Sequence, residues 1–137
     1  MAKILVTGTA GFIGAAVAEA LLARGDEVVG VDSLNDYYDP SLKRARLARF
    51  ADHARYRHYE FDLADAARTR ALFAEEAPER VIHLAAQAGV RYSISNPLAY
   101  GDANLQAFLN VLEGCRHGRV LHLTYASSSS VYGGNTK

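Results

Sequence analysis

Three glycines, Gly8, Gly11 and Gly14, stand at the spacing G-x-x-G-x-x-G directly after a short apolar run, Ile4-Leu5-Val6. They open a segment, Phe12 to Ala23, whose small and apolar residues recur at helical spacing. Glycine between a buried strand and a helix answers three needs: a tight turn, close approach of backbone to a pyrophosphate, and close packing of helix on strand. The helix N-terminus adds unpaired N–H groups and a partial positive charge that suit an anion. A glycine-rich turn that holds nothing is the bland alternative, and the strand-turn-helix context argues against it. No Lys-Ser/Thr pair follows the glycines, which excludes a P-loop.

The alternation continues along the chain. Gly25 stops the first helix, and Glu27 to Val31 (EVVGV) is a second β-branched run ending at Asp32. Leu42 to Phe50 reads as a cationic helix, Tyr56 to Phe61 as an alternating aromatic strand, and Ala64 to Glu76 as a helix ended by Pro78. Arg80 to Leu84 (RVIHL) is a further buried strand. Leu98 to Cys115 carries Leu105, Phe108, Leu109 and Leu112 on one stripe, the pattern of a helix facing a core, with Gly118 as its cap; Val120 to Tyr125 reads as the fifth strand, running into Ser127 to Ser130. Strands alternating with helices predict an α/β fold, a doubly wound parallel Rossmann sheet with ligands at the carboxyl ends of its strands. A full dinucleotide-binding sheet has six strands, so residues 1–137 are expected to form one dinucleotide-binding domain cut short after about five.

Composition narrows the partners. The 137 residues hold 15 Lys+Arg against 15 Asp+Glu, with the arginines scattered, which gives no electrostatic footprint for nucleic acid or a membrane surface. One cysteine, Cys115, rules out a disulfide framework and reads as an inert helix residue; no metal site is expected. No signal-peptide or membrane-spanning run is present, and a cytoplasmic location is expected.

Asp32 closes the second strand 18 residues after Gly14, where a carboxylate can accept hydrogen bonds from adenosine ribose hydroxyls. A 2'-phosphate would meet a like charge there, and no Arg or Lys lies between Ser33 and Leu42 to compensate, which favours NAD over NADP. As a plain turn residue Asp32 would need no ligand. Asp62-Leu63, after the third strand, could bracket an adenine, the carboxylate taking the exocyclic amine and Leu63 covering the ring; Asp62 could equally cap the next helix. His83, inside an apolar strand, reads as a core histidine rather than a catalyst. Tyr37-Tyr38 and Tyr56 and Tyr59 read as packing residues or loop anchors.

Together T-G-x-x-G-F-I-G, Asp32, Asp62-Leu63, H-L-A-A and S-S-S-S-V-Y-G resemble the extended short-chain dehydrogenase/reductases across essentially the whole chain. Within that superfamily, Gly30 to Leu47 (GVDSLNDYYDPSLKRARL) and His83 to Pro97 (HLAAQAGVRYSISNP) are similar to bacterial UDP-glucuronate 4-epimerases, a branch of the NAD-dependent sugar-nucleotide epimerases. The resemblance implies NAD as cofactor and a nucleotide sugar as substrate. It places Phe12 and Ile13 beside the pyrophosphate, and Leu84, Ala85 and Ala86 along the ribose-nicotinamide stretch. Asn104 matches the family's Asn in the following helix, with Ala103 a less usual neighbour, and Tyr37-Tyr38 fall near the adenosine end. Ser128, three residues before V-Y-G, corresponds to the Ser/Thr that helps hold the sugar's reacting hydroxyl, with Ser127 beside it. A polar strand-to-loop cap is the other reading of the serine run. Arg91 could face a substrate phosphate or a uronate carboxylate in bidentate fashion, or stand solvated.

The family's general base is a Tyr with a Lys four residues on, and no Y-x-x-x-K occurs here; the lysines are Lys3, Lys43 and Lys137. In the family that Tyr lies downstream of V-Y-G, so the expectation is a chain that ends before its base and substrate domain and does not turn over sugar by itself. The longer protein is then expected to be an isomerase of carbohydrate metabolism acting on a UDP-hexuronate or UDP-hexose through a transient 4-keto sugar, with a homodimer as an open possibility. A 4,6-dehydratase is disfavoured because its pattern puts Asp-Glu where Ser129-Ser130 stand. An NAD(P)-dependent reductase of the superfamily, or a non-catalytic NAD-binding module, stays open.

Overall fold

The computed structural model describes residues 1–33, 40–85, 97–98 and 105–126. Five strands, β1 (Lys3–Thr7), β2 (Glu27–Val31), β3 (Tyr56–Tyr59), β4 (Arg80–His83) and β5 (His122–Tyr125), pair in the order β3-β2-β1-β4-β5. Every pairing is parallel, with Leu5 opposite Val29 on one side and Val81 on the other. The helices between them are α1 (Phe12–Arg24), α2 (Pro40–Ala48), α3 (Ala66–Glu76) and α4 (Ala107–His117). This is the expected doubly wound α/β sheet, and β1, with β2 on one flank and β4 on the other, is where the strand order reverses.

Alternation along β1 sorts the core into two layers. Ile4 and Val6, with Val28 and Tyr56, face α1 and α2 through Ala15, Ala18, Leu22, Leu47 and Phe50. Leu5, with Val29, Val31 and Val81, faces α3 and α4 through Leu72, Phe73, Ala107 and Val111. Four of the five residues in each of β1 and β2 are buried, the continuous apolar run that a strand covered on both faces requires. Burying a side chain such as Leu5 contributes about 1.5–3 kcal/mol.

Helix ends follow their capping chemistry with two departures. Gly25 closes α1 in the left-handed conformation, its N–H returning to Leu21 and Leu22 carbonyls. Gly118 caps α4 at φ −82° instead, and the left-handed residue after α4 is Arg119 at φ 54°. The leucine stripe of α4 is corrected more strongly: Leu105, Leu109 and Leu112 are exposed, while Ala107, Val111 and Gly114 face the core. The cause is steric, since a Cβ on Gly114 would stand 2.4 Å from Phe73 of α3. Only a small-residue face lets α4 approach that ring.

Strands β1 and β3 are tied to the end of α3 by one carboxylate. Glu76, nearly excluded from solvent, accepts from Lys3 Nζ at 3.0 Å, from Arg57 Nη2 at 2.6 Å and Nε at 3.1 Å, and from the Tyr59 hydroxyl. Burial pushes this carboxyl up, but the hydrogen bonds from Tyr59, Arg57 and Lys3 outweigh it and hold the group below the ordinary glutamate value. A carboxylate depressed on folding stabilises above its unfolded pKa, and that contribution is lost as pH falls through the folded value. Glu76→Gln is therefore expected to cost about 2 kcal/mol at neutral pH and to reduce the loss of stability below about pH 4.5, measured by urea unfolding across pH.

Candidate functional site

The glycine turn lies at the carboxyl ends of β2, β1 and β4, the edge where a sheet of this order takes its ligands. Gly8 adopts φ +79°, and its N–H donates to the Val31 carbonyl at 2.7 Å. A side chain there would be strained, and its Cβ would stand 2.9 Å from the Ala85 nitrogen, so glycine is required by conformation and by the approach of β4. A Cβ on Gly14 would lie 1.9 Å from the Gly8 carbonyl oxygen, which lets the first turn of α1 sit directly on the loop. No side chain caps α1 and no acidic residue stands in its first turn. Phe12 and Ile13, at the same helix start, are 78% and 61% exposed. An uncapped helix N-terminus flanked by exposed apolar residues is a surface shaped for an anion with an attached apolar ligand.

Asp32 is brought to this turn by β2. Its Oδ2 accepts the Ala10 N–H at 3.0 Å, and its Oδ1 lies 3.9 Å from Lys43 Nζ of α2. Lys43 is one residue beyond the stretch Ser33 to Leu42 in which no compensating cation was found, and the helix carries it back over the carboxylate. The electrostatic part of the case against a 2'-phosphate is weaker for that reason. Arg46, three residues on and on the same helix face, donates to the Ala10 carbonyl at 3.2 Å and holds its guanidinium 5.9 Å from the Phe12 ring centre. Neither cation was singled out from sequence; the available signal was their i, i+3 spacing on a helix entering the site.

On the β4 side, Thr7 joins the two strands of the reversal. Its Oγ1 accepts the Leu84 N–H at 2.9 Å and the Ala85 N–H at 3.0 Å, and lies 2.7 Å from His83 Nδ1. A hydroxyl has one proton, and with both acceptor positions taken by amides that proton goes to Nδ1. The network therefore assigns His83 as the neutral Nε2–H tautomer, stacked on Phe108 at 5.6 Å. Burial pushes its pKa down to about 4. His83 is a core residue, as expected, that holds Leu84 and Ala85 in place.

The third strand delivers Asp62 and Leu63 to the same edge. Asp62 Oδ1 accepts the Ala64 N–H at 2.9 Å in a local turn, and the cap of α3 is Asp65, which takes the Arg68 N–H. Leu63 is only 4% exposed and packs in the core, which leaves its side chain little surface to cover an adenine. Its carbonyl accepts from Asn110 Nδ2 at 2.7 Å and Thr69 Oγ1 at 3.0 Å. Cys115 is half-buried with its thiol pushed up by burial. Ala86, Arg91, Asn104, Ser127, Ser128 and the pair Tyr37-Tyr38 lie outside the described residues. Among the described residues no helix is long and apolar enough to cross a membrane, and no group of His, Cys, Asp or Glu could hold a metal ion.

With the geometry in place, four likenesses bear on it. Residues 4–137 match the model of the NAD dependent epimerase/dehydratase family. The chain is 55% identical over 135 residues to an uncharacterized 37.6 kDa protein of Escherichia coli O111:H-, and 50% identical over 136 residues to UDP-glucuronate 4-epimerase 3 of Arabidopsis thaliana. Each alignment takes in 98% of this chain, but only 40% and 31% of those relatives. The fold superposes on the UDP-glucuronic acid 4-epimerase of Bacillus cereus, solved with UDP-glucuronic acid and NAD, with a TM-score of 0.89 and 32% identity, covering 98% of this chain and 43% of that one. The chain thus spans about two fifths or less of the proteins it matches.

His83 supplies a pH signature. A histidine whose pKa falls from 6.5 unfolded to about 4 folded stabilises when neutral, and that stability is lost as pH drops through this window. At about 1.4 kcal/mol per unit the full loss is on the order of 3 kcal/mol. His83→Asn, which can place an amide oxygen where Nδ1 stood, is expected to flatten the stability profile between pH 6.5 and 4, read as the difference between variant and parent unfolding curves.

Proposed function

Because the chain belongs to the NAD dependent epimerase/dehydratase family, we propose that residues 1–137 form the NAD-binding domain of a UDP-sugar 4-epimerase, with UDP-glucuronate as its substrate. The observation that carries the cofactor half is the glycine floor, where Gly8 and Gly14 leave no space for a Cβ and α1 presents an uncapped N-terminus beside Asp32. The substrate half rests on likeness to relatives named UDP-glucuronate 4-epimerase and on the strings from Gly30 to Leu47 and His83 to Pro97.

The residues present fit a dinucleotide. Gly8, Gly11 and Gly14, with the start of α1 at Phe12 and Ile13, receive the pyrophosphate. Asp32 accepts from the adenosine ribose hydroxyls, and Lys43 keeps its carboxylate charge balanced; Asp62 and the Leu63 backbone edge the adenine. Leu84 and Ala85, whose amides Thr7 holds, line the path toward the nicotinamide, together with Ala86. When bound, NAD would supply the reversible hydride acceptor that an isomerisation at the sugar C4 needs. Ser128, with Ser127, hydrogen-bonds the reacting sugar oxygen, Arg91 pairs with a phosphate or the uronate carboxylate, and Asn104 supports the cofactor. These roles position groups for reaction rather than move the proton. No Tyr among the 137 residues is followed four places on by Lys, so the general base of the family's pattern is not in this stretch. The exposed stripe Leu105, Leu109 and Leu112 supports a homodimer as the working assembly.

Two measurements test this. By calorimetry, the 137-residue chain is expected to bind NAD more tightly than NADP, and Asp32→Ala to weaken NAD about tenfold or more while narrowing the difference. The chain alone is expected to leave UDP-glucuronate unchanged, whereas a longer chain that joins it to the family's Tyr and Lys is expected to interconvert UDP-glucuronate and UDP-galacturonate; such a chain that binds NAD but leaves UDP-glucuronate untouched would sink the substrate assignment.

A further inference from the structure

We infer that Tyr56 is a positioning residue for the pyrophosphate: its hydroxyl, admitted through a gap at Gly30, fastens the glycine turn from beneath by hydrogen-bonding Thr9. The inference rests on the reading that this turn holds the cofactor pyrophosphate. Tyr56 begins β3, pairs with Val28, and directs its ring onto the α1/α2 side of the sheet, edge-on to Phe50 at 4.8 Å. From there the hydroxyl donates to Thr9 Oγ1 at 3.2 Å. Thr9 is fully buried between Gly8 and Gly11, so this contact is made to the turn itself.

Gly30 makes the contact sterically feasible. A Cβ there would stand 2.1 Å from the Tyr56 oxygen and 2.7 Å from the ring carbon that bears it. Gly30 lies in regular parallel pairing with Val6 and His58, where a strand gains nothing from glycine; the tyrosine is what requires it. His58 completes the chain. Its Nδ1 is 2.8 Å from the Tyr56 oxygen, and with the tyrosine proton given to Thr9 the histidine must donate Nδ1–H. Burial pushes the tyrosine pKa up to about 12, so the proton is there to donate at any pH the protein meets.

A phenylalanine would fill the same space against Phe50, so the hydroxyl is not needed for packing. What it adds is a third tie on the turn. Asp32 holds the Ala10 N–H and Arg46 the Ala10 carbonyl, and Tyr56 holds the side chain of the preceding residue. Order fixed before binding need not be imposed by the ligand, so a loosened Thr9 should appear as lost pyrophosphate affinity in addition to the stability lost by leaving Thr9 and His58 unpaired.

The test is a cycle in the full chain: Tyr56→Phe, Thr9→Val and the double variant, with Thr9→Ser as the change that keeps a hydroxyl. Affinities for NAD, ADP and adenosine are measured by calorimetry or competition, and melting temperatures without ligand. Tyr56→Phe and Thr9→Val are each expected to weaken NAD and ADP roughly three- to tenfold, with the double variant no weaker than the worse single, Thr9→Ser near the parent, and adenosine affinity unchanged. Full-strength NAD binding by Tyr56→Phe, additive single losses, or equal weakening of ADP and adenosine would each overturn the inference while leaving the cofactor reading standing. A parent chain that binds neither NAD nor ADP would overturn both.

Discussion

The contact between Gly14 and the carbonyl of Gly8 sets the geometry of everything at the carboxyl edge of the sheet. Where another residue's Cβ would lie 1.9 Å from that oxygen, the helix start and the strand end meet without a spacer. The consequence is that the start of α1, which no side chain caps, sits on the turn, and that Ala10, between the two glycines, falls within reach of Asp32 at the end of β2. The positive φ of Gly8 turns the chain in time for β4 to close on the other side, where Thr7 receives two amides from Leu84 and Ala85. One steric allowance therefore gathers three strands' ends around one turn.

Polar groups buried at this edge are arranged as matched sets. Thr7, Thr9, Asp32 and His83 are all nearly excluded from water, a costly state for unpaired groups. Each has a backbone or side-chain partner: Thr7 two amides and an imidazole, Thr9 a phenol, Asp32 an amide and a lysine, His83 a hydroxyl. Such sets make the turn one of the stiff parts of the molecule, since loosening one member leaves another buried and unpaired. The opposite edge is built differently, with Glu76 gathering Lys3, Arg57 and Tyr59 around one charge that lies away from the cleft.

The fold and the glycine floor were legible because their causes are local. Strand runs, helix periodicity and the spacing of Gly8, Gly11 and Gly14 are written in consecutive residues, and their alternation implies parallel pairing through crossovers of one hand. What was not legible depends on distance in space. Lys43 reads as one more cation of a surface helix until α2 is laid over β2, and Leu63 reads as a free apolar residue until Phe61, Leu72 and Phe73 are seen to enclose it. Gly30 looked like an ordinary member of EVVGV, because the reason for it is a tyrosine 26 residues later.

The α4 stripe shows why periodicity alone can point the wrong way. Two faces of that helix satisfy helical spacing, one of leucines and one of Ala107, Val111 and Gly114, and hydrophobicity favours the first. Packing favours the second, because Phe73 already fills the space between α3 and the sheet and only a face without bulk can close on it. The partner ring, fixed 41 residues earlier, decides which face turns inward, and the leucines are left facing out. Hydrophobic surface that the core cannot accept is then available to a second surface, so the same steric fact that shapes the core also supplies the apolar face on which self-association would depend.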